Sequence, residues 1–223
     1  MNKIREAVEA RKKIKIVGKY GVTCLDDQLG GIISEDFVLI GAESGCGKTE
    51  LAYQIAIENS KKINVHLVAL EAETNEVYLR ALFKEMAKLY FEEHDKNKDD
   101  YFDISYRNYI LEHAYVDEGI WNSEKFKKYE EKAIPIVEEK LKNVYIHNRS
   151  DYLDSEGNFT IGSLKKAITG LPCDLLIIDH VDYFDLNDEK NENVQMTRIM
   201  KELRAINQEE KLPLVVVSHL RKK

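Results

Sequence analysis

The thirteen residues Phe37-Val-Leu-Ile-Gly-Ala-Glu-Ser-Gly-Cys-Gly-Lys-Thr49 constrain this chain more than any others. They pass from an apolar run through a glycine-bearing loop to an amphipathic stretch (Glu50, Leu51, Ala52, Tyr53, Gln54, Ile55, Ala56), the order strand, loop, helix. Ala42, Glu43, Ser44, Gly45, Cys46, Gly47, Lys48 and Thr49 fit the phosphate-binding pattern A/G-x-x-x-x-G-K-S/T. Gly45 and Gly47 allow backbone angles that turn consecutive N–H groups into one concavity suited to an anion. The helix that follows offers its unpaired N-terminal N–H groups to the same anion. In this pattern Lys48 reaches the β- and γ-phosphates and the Thr49 hydroxyl takes a place on Mg²⁺. Cys46 occupies a position where any side chain is tolerated. A glycine-rich turn with an incidental Lys-Thr would lack the apolar run before and the helix after. The chain is therefore read as binding a nucleoside triphosphate.

At 223 residues the chain fits one α/β domain with an inserted subdomain. Hydrophobic residues at 43% and charged residues at 33% suit a globular protein with a sizeable core. No apolar run approaches the ~20 residues that span a bilayer, so no membrane partner is expected. The N-terminal stretch from Met1 to Glu9 is charged throughout and lacks the apolar centre of a signal peptide. Cys24, Cys46 and Cys173 are isolated and odd in number, which points away from a disulfide framework and from a zinc site. The cell interior is the expected compartment. A net charge of −7 argues against a protein that coats nucleic acid over its whole surface. Basic residues concentrate at Arg11-Lys12-Lys13-Ile14-Lys15 and at Arg221-Lys222-Lys223, read either as solvated ends or as local contacts.

Five short apolar runs read as buried strands of a parallel sheet, because they are continuous rather than alternating: 37–40, 65–70, 144–146, 175–178 and 214–217. Helical spacing separates them, with Val77, Leu79, Ala81, Leu82 and Met86 after one strand and Met196, Ile199, Met200, Leu203 and Ile206 before another. Alternating strands and helices predict right-handed βαβ units and a sheet covered on both faces. Pro213 is compatible because it stands where the last strand begins. Residues Tyr90 to about Lys142 interrupt the rhythm with charge and with Tyr101, Phe102, Tyr106, Tyr109, Tyr115 and Trp121. Short amphipathic helices packed on the domain are expected there.

Leu175-Leu-Ile-Ile-Asp179 is an apolar strand ending in a carboxylate, the pattern that holds Mg²⁺ opposite a phosphate loop. Hydrolysis also needs a group that orients or deprotonates the attacking water. The residue after Asp179 is His180, so that carboxylate must come from elsewhere. Glu71 is preferred, since it follows the strand that starts at Val65 and so projects from the sheet edge where ligands bind. Glu73 and Asp182 are its rivals. Ser218-His219-Leu220 ends the last strand, where a polar residue beside the phosphate loop can sense the γ-phosphate.

At these residues the chain resembles a RecA-type ATPase, the motor domain of DnaB-family replicative helicases and of related phage primase-helicases. Gly21-Val-Thr-Cys-Leu-Asp26 and Gly30-Gly31 resemble the family's lead-in to its first core strand. Ala69-Leu70-Glu71 with Thr74 and Arg80 resembles the segment that carries its catalytic glutamate. Asn143-Val-Tyr-Ile-His147, Asp179-His180-Val181 and Ser218-His219-Leu220 resemble its later strand, metal-binding and sensor motifs, the last two in phage form. The resemblance covers about Gly21 to the last residue. It implies a RecA-like P-loop α/β fold: a mostly parallel central sheet flanked by helices, with a helical insert at about 90–142 and residues 1–20 as a leader or linker helix. It implies Glu71, Lys48 and His219 as catalytic residues, and Thr49 and Asp179 on the metal. It further implies ATP or another nucleoside triphosphate with Mg²⁺, single-stranded DNA, a hexameric ring, a primase or loader partner, and the cytoplasm of a bacterial or phage-infected cell. The family's later DNA-contacting loops and neighbour-reaching arginine would fall beyond the last residue, so the family domain is expected to be incomplete here. Arg221 and Lys222 are read as the beginning of a DNA or neighbour contact. A RecA- or KaiC-like ATPase without helicase activity, and a nucleotide-binding scaffold with vestigial hydrolysis, remain open alternatives.

Overall fold

The computed structural model describes residues 3–93, 105–111, 123–185 and 191–220. Tyr101, Phe102, Tyr115, Trp121, Arg221, Lys222 and Lys223 lie outside these described residues. Two compact units are present: one formed by Met1–Ala72 with Asn143–Lys223, the other by Glu73–Lys142.

The first unit holds a five-stranded sheet of β3 (Phe37–Ala42), β4 (Val65–Ala69), β5 (Val144–Asn148), β6 (Leu175–Asp179) and β7 (Leu214–His219). The strands lie in the order β3-β7-β6-β4-β5, and every neighbouring pair is parallel. All five apolar runs form strands, as their sequences predict. Leu175, Leu176, Ile177 and Ile178 are each fully buried, so both faces of the sheet are covered and neither face alternates with solvent. Helix α3 (Lys48–Ser60) lies against β4, β6 and β7. A cluster of Leu176, Ile178, Leu214 and Val216 with Leu164, Ile199, Leu203 and Ile206 brings in α7 (Ile161–Ile168) and α8 (Glu192–Glu210). Every second residue of β6 and β7 serves this cluster, which leaves the alternate side chains to the other face.

Buried amides pin the ends of these elements. Asn207 Nδ2 donates to Asp36 O (3.0 Å) and Leu212 O (2.7 Å), tying the starts of β3 and β7 to α8. Asn59 on α3 accepts from Lys19 N (2.8 Å) and donates to Lys19 O (2.7 Å), holding the chain beyond β1 (Ile16–Gly18). A Cβ on Gly18 would stand 2.7 Å from that amide oxygen, so only glycine allows the approach. β1 pairs antiparallel with β2 (Ile32–Ile33) as a separate ribbon. Between them α2 (Thr23–Leu29) is set by Asp26, whose oxygens accept from Tyr20 N (2.7 Å) and Gly21 N (3.1 Å). Helix α1 (Lys3–Arg11) buries none of its residues.

The second unit comprises α4 (Thr74–Glu93), α5 (Tyr106–Ile110) and α6 (Ser123–Leu141) around Met86, Tyr90, Tyr109, Tyr129 and Ala133. It therefore begins well before Tyr90, because the long helix α4 gives its own apolar face to this cluster. Glu93 accepts from Lys128 (2.7 Å) and from the Tyr129 hydroxyl (2.9 Å), and burial followed by that carboxylate pushes the Tyr129 phenol up to about 12. Its helix α6 runs 19 residues, longer than the short helices expected from sequence for about 90–142.

Between β4 and β5 a buried chain of hydrogen bonds has one direction. His66 Nε2–H donates to Pro172 O (3.2 Å), so His66 Nδ1 accepts from His147 Nε2–H (3.0 Å), and His147 Nδ1 accepts from the Tyr152 hydroxyl (3.0 Å). Burial holds both histidines below their usual value, and His147, with His66 beside it, falls to about 4. An unfolded histidine titrates near 6.5, so between about pH 6.5 and about pH 4 the unfolded chain takes up protons that the folded chain refuses. Stability is therefore expected to be full above that window and to fall through it. Thermal melts should show the loss, and His147→Gln should flatten it. A midpoint that holds steady from pH 7 to pH 4.5 would contradict the assignment.

Candidate functional site

Parallel pairing carries the ends of four strands to one rim. Ala42 pairs with His219, and Ala69 pairs with Asp179. Leu70 N extends the β4–β6 ladder by one bond to Asp179 O (3.2 Å), so Glu71 leaves the sheet at the level of that carboxylate. The loop after β3 is open: Glu43 through Gly47 are exposed, and Gly45 and Gly47 take φ of 79° and 80°. No atom would meet a Cβ at either glycine within 4 Å, so conformation rather than space requires glycine there.

Lys48 opens α3 with its side chain buried, and its ammonium donates to Glu43 O (2.9 Å) and to His219 Nδ1 (3.2 Å). An ammonium has no lone pair, so Nδ1 is the acceptor and His219 carries its proton on Nε2. The Thr49 hydroxyl donates to Asp179 Oδ1 at 3.3 Å. Two oxygens on adjacent corners of an octahedral Mg²⁺ stand about 3 Å apart, so this hard-oxygen pair fits such an ion. The Asp179 carboxylate is almost wholly buried.

His180 follows Asp179 with φ 71° and ψ 70°, and sequence reasoning assigned it no task. Its Nε2 stands 2.7 Å from Glu71 Oε2 and 3.7 Å from Asp179 Oδ1. Its ring stacks on His219, with centroids 4.3 Å apart and planes 24° from parallel. Nδ1 is buried without a hydrogen-bond partner among the described residues. The proton therefore belongs on Nε2, donated to Glu71, because the other tautomer would bury an unpaired N–H and oppose two lone pairs. Burial lowers the basicity of His180; Glu71 opposes that effect, while His219 and Lys48 add to it.

Donor atoms of Glu71, His180 and His219 lie within 4.8 Å of one another, a set of the kind that suits zinc. The hydrogen bonds argue against that use. A metal on His180 Nε2 would send the proton to Nδ1, where nothing receives it, whereas ligating histidines donate from the second nitrogen. A metal on His219 Nδ1 would displace the Lys48 ammonium from it.

The rival carboxylates separate clearly. Asp182 has both oxygens engaged, accepting from Ser218 Oγ (3.2 Å) and His219 N (2.9 Å), so it anchors the end of β7. Glu73 belongs to the other unit. Glu71 is exposed at the rim. The sequence-predicted residues Ala42–Thr49, Glu71, Asp179 and His219 are thus brought together, whereas Arg221 and Lys222 lie outside the described residues. His180, and the hydrogen bonds of Asp182 to the end of β7, are what sequence reasoning did not bring out. The left-handed turn that faces His180 toward Glu71 has no sequence signal, since histidine seldom adopts it.

A family model described as DnaB-like helicase C terminal domain matches residues 19–223. Among solved structures, a DnaB-like replicative helicase described together with its interactions with primase aligns with a TM-score of 0.66 at 17% identity. That alignment covers 99% of this chain and 47% of the other, so the chain spans about half that relative's length. A second solved structure, described as an ATPase domain, aligns with a TM-score of 0.66 at 18% identity, covering 99% of this chain and 69% of the other. Identities this low speak for the fold alone. A search of curated protein sequences found no significant match. No helix among the described residues is long and apolar enough to cross a membrane.

Removing the Asp182 anchor should be measurable without any ligand. Asp182→Ala leaves Ser218 and the His219 amide without their acceptor and should cost about 1–3 kcal/mol in denaturant unfolding. A change below about 0.5 kcal/mol would mean that water replaces the carboxylate fully.

Proposed function

The chain belongs to the family of DnaB-like helicase C-terminal domains, and from that membership we propose that it is a RecA-like motor domain. It hydrolyses a nucleoside triphosphate, ATP or another, with Mg²⁺, and couples this to movement along single-stranded DNA and duplex unwinding. One observation carries the reading: Lys48, Thr49, Glu71, Asp179 and His219 gather at a single rim of a parallel sheet. Ligands bind at that rim in open α/β sheets.

The residues divide the work by chemistry. The exposed loop of Glu43 to Gly47 and the N-terminus of α3 receive the phosphates. Lys48 turns from Glu43 O and His219 toward the β- and γ-phosphates, where its charge offsets the charge that develops in the transition state. Thr49 and Asp179 would hold Mg²⁺, which would supply positive charge to offset that of the phosphates. Glu71 orients the attacking water and draws off its proton. His219, with its proton on Nε2, donates to the γ-phosphate and loses that bond once the phosphate leaves.

Assembly is proposed on the same ground. The exposed helix α1, with Ile4 and Val8 one turn apart and unburied, is the segment proposed to dock on an adjacent copy in a hexameric ring. Arg221 and Lys222 are assigned to DNA or to the neighbouring subunit. One structural relative is described with its interactions with primase, and a primase or loader is proposed as a partner here in the cytoplasm of a bacterial or phage-infected cell.

The deciding experiment is triphosphate hydrolysis by the longest natural form of the chain, with and without single-stranded DNA, followed by unwinding of a forked duplex. Stimulation and unwinding are expected. Hydrolysis without unwinding would instead mark a recombination or regulatory ATPase. Lys48→Ala should weaken triphosphate binding at least about tenfold by calorimetry, as loss of a charge-assisted phosphate contact does. Wild-type affinity in that variant would remove Lys48 from the phosphate site. Glu71→Gln should bind triphosphate nearly normally while hydrolysis falls about 100- to 10,000-fold, the range for losing a positioned base. Unchanged turnover would reassign the base.

A further inference from the structure

His180 has a costly conformation and a central position, and the reading above, on which this inference rests, gives it no role. Its backbone sits in the left-handed region at φ 71°, which side chains other than glycine adopt rarely and keep only where surroundings enforce it. The surroundings here are specific. The side chain is 4% exposed, its ring stacks on His219, and the Tyr183 ring meets its edge with centroids 6.2 Å apart. Glu71, by contrast, follows the end of β4 with half of its side chain in solvent. An exposed glutamate on a loop ordinarily samples several rotamers. The 2.7 Å bond from a rigid, buried ring removes that freedom.

We propose that His180 is a positioning residue: its Nε2–H fixes the Glu71 carboxylate at the rim, and its ring, stacked on His219, ties that carboxylate to the γ-phosphate sensor. The histidine cannot itself serve as the base. Its Nε2 already carries the proton given to Glu71, and its Nδ1 is sealed from solvent. The stack supplies what a separate carboxylate and sensor would lack. A shift of His219 toward a phosphate moves the face of His180, and through it the carboxylate that orients water. A misplacement of about 1 Å at such a group is enough to lower turnover about 100-fold.

The test compares variants of His180 in the longest natural form of the chain, by steady-state hydrolysis with single-stranded DNA and by calorimetric triphosphate affinity. His180→Phe keeps a ring against His219 but has no donor for Glu71. It should lower kcat by about 10- to 100-fold and leave KM and affinity unchanged. His180→Gln restores an N–H at similar reach and should recover most of the loss. In a Glu71→Gln background, His180→Phe should cause no further loss, because the group it positions no longer acts as a base. Retained triphosphate affinity reports that each variant is folded. His180→Asn, better suited to the left-handed backbone, stops short of Glu71 and must share the loss if the phenylalanine variant does not fold. Wild-type kcat in His180→Phe, or the same fold-loss with and without Glu71, or a defect confined to KM, would each overturn the proposal. Unchanged turnover in Glu71→Gln alone would sink the site reading first, independently of His180.

Discussion

In-register parallel pairing, of β3 with β7 and of β4 with β6, is the constraint from which the rest of this site follows. Each pair brings a strand end to the level of its neighbour's end, so Ala42 stands beside His219 and Ala69 beside Asp179. A slip of one residue in β6 would turn Asp179 to the opposite face and bring Ile178 to the rim. The sheet resists such a slip because its hydrophobic residues are buried on both faces and interlock with α3, α7 and α8. Packing thus fixes the level of Asp179 and His219, and of the loops that leave Ala42 and Ala69. Asn207, which joins Asp36 to Leu212, closes the same constraint at the far end of β3 and β7.

The rim concentrates groups that would be expensive to bury anywhere else. Lys48 is 6% exposed and Asp179 1% exposed. The lysine is held by a carbonyl and an imidazole, and the carboxylate takes a hydroxyl hydrogen bond from Thr49 with the His180 ring nitrogen 3.7 Å away. Burying charged groups is costly, and an anion with its counterion is the kind of ligand that would offset that cost. The buried His66–His147–Tyr152 chain is the opposite case, since its hydrogen bonds are satisfied with every member uncharged.

Much of this was legible in the residues. Branched apolar runs such as Leu175–Ile178, set between helical segments, read as strands buried on both faces, and Gly45 and Gly47 mark the open loop after β3 in which both take positive φ. Glu71 was legible because it directly follows the last apolar residue of its run, where the sheet still dictates its position. The extent of the second unit was not legible. The periodicity of α4 looks the same whether its apolar face meets a sheet or, as here, Tyr109 and Tyr129. The ribbon of β1 and β2 was hidden by its brevity, two or three residues carrying no period. The anchoring part of Asp182 was hidden for a different reason. A carboxylate near the strand end reads as a rival to Glu71 until its two oxygens are found already engaged by Ser218 and His219.

The histidine after Asp179 and the glutamate after β4 explain each other. A carboxylate at position 180 would face Glu71 at the short distance now bridged by a hydrogen bond. Two carboxylates that close cannot both ionise, and one would be forced to hold a proton and lose its basicity. An imidazole in that position reverses the interaction: it donates where a carboxylate would repel. Glu71, the proposed base, thereby stands just beyond β4, one strand away from Asp179 at the end of β6 and next to a ring that also meets His219. Histidine at this single position therefore joins the carboxylate that follows β4 to the ring of His219 at the end of β7.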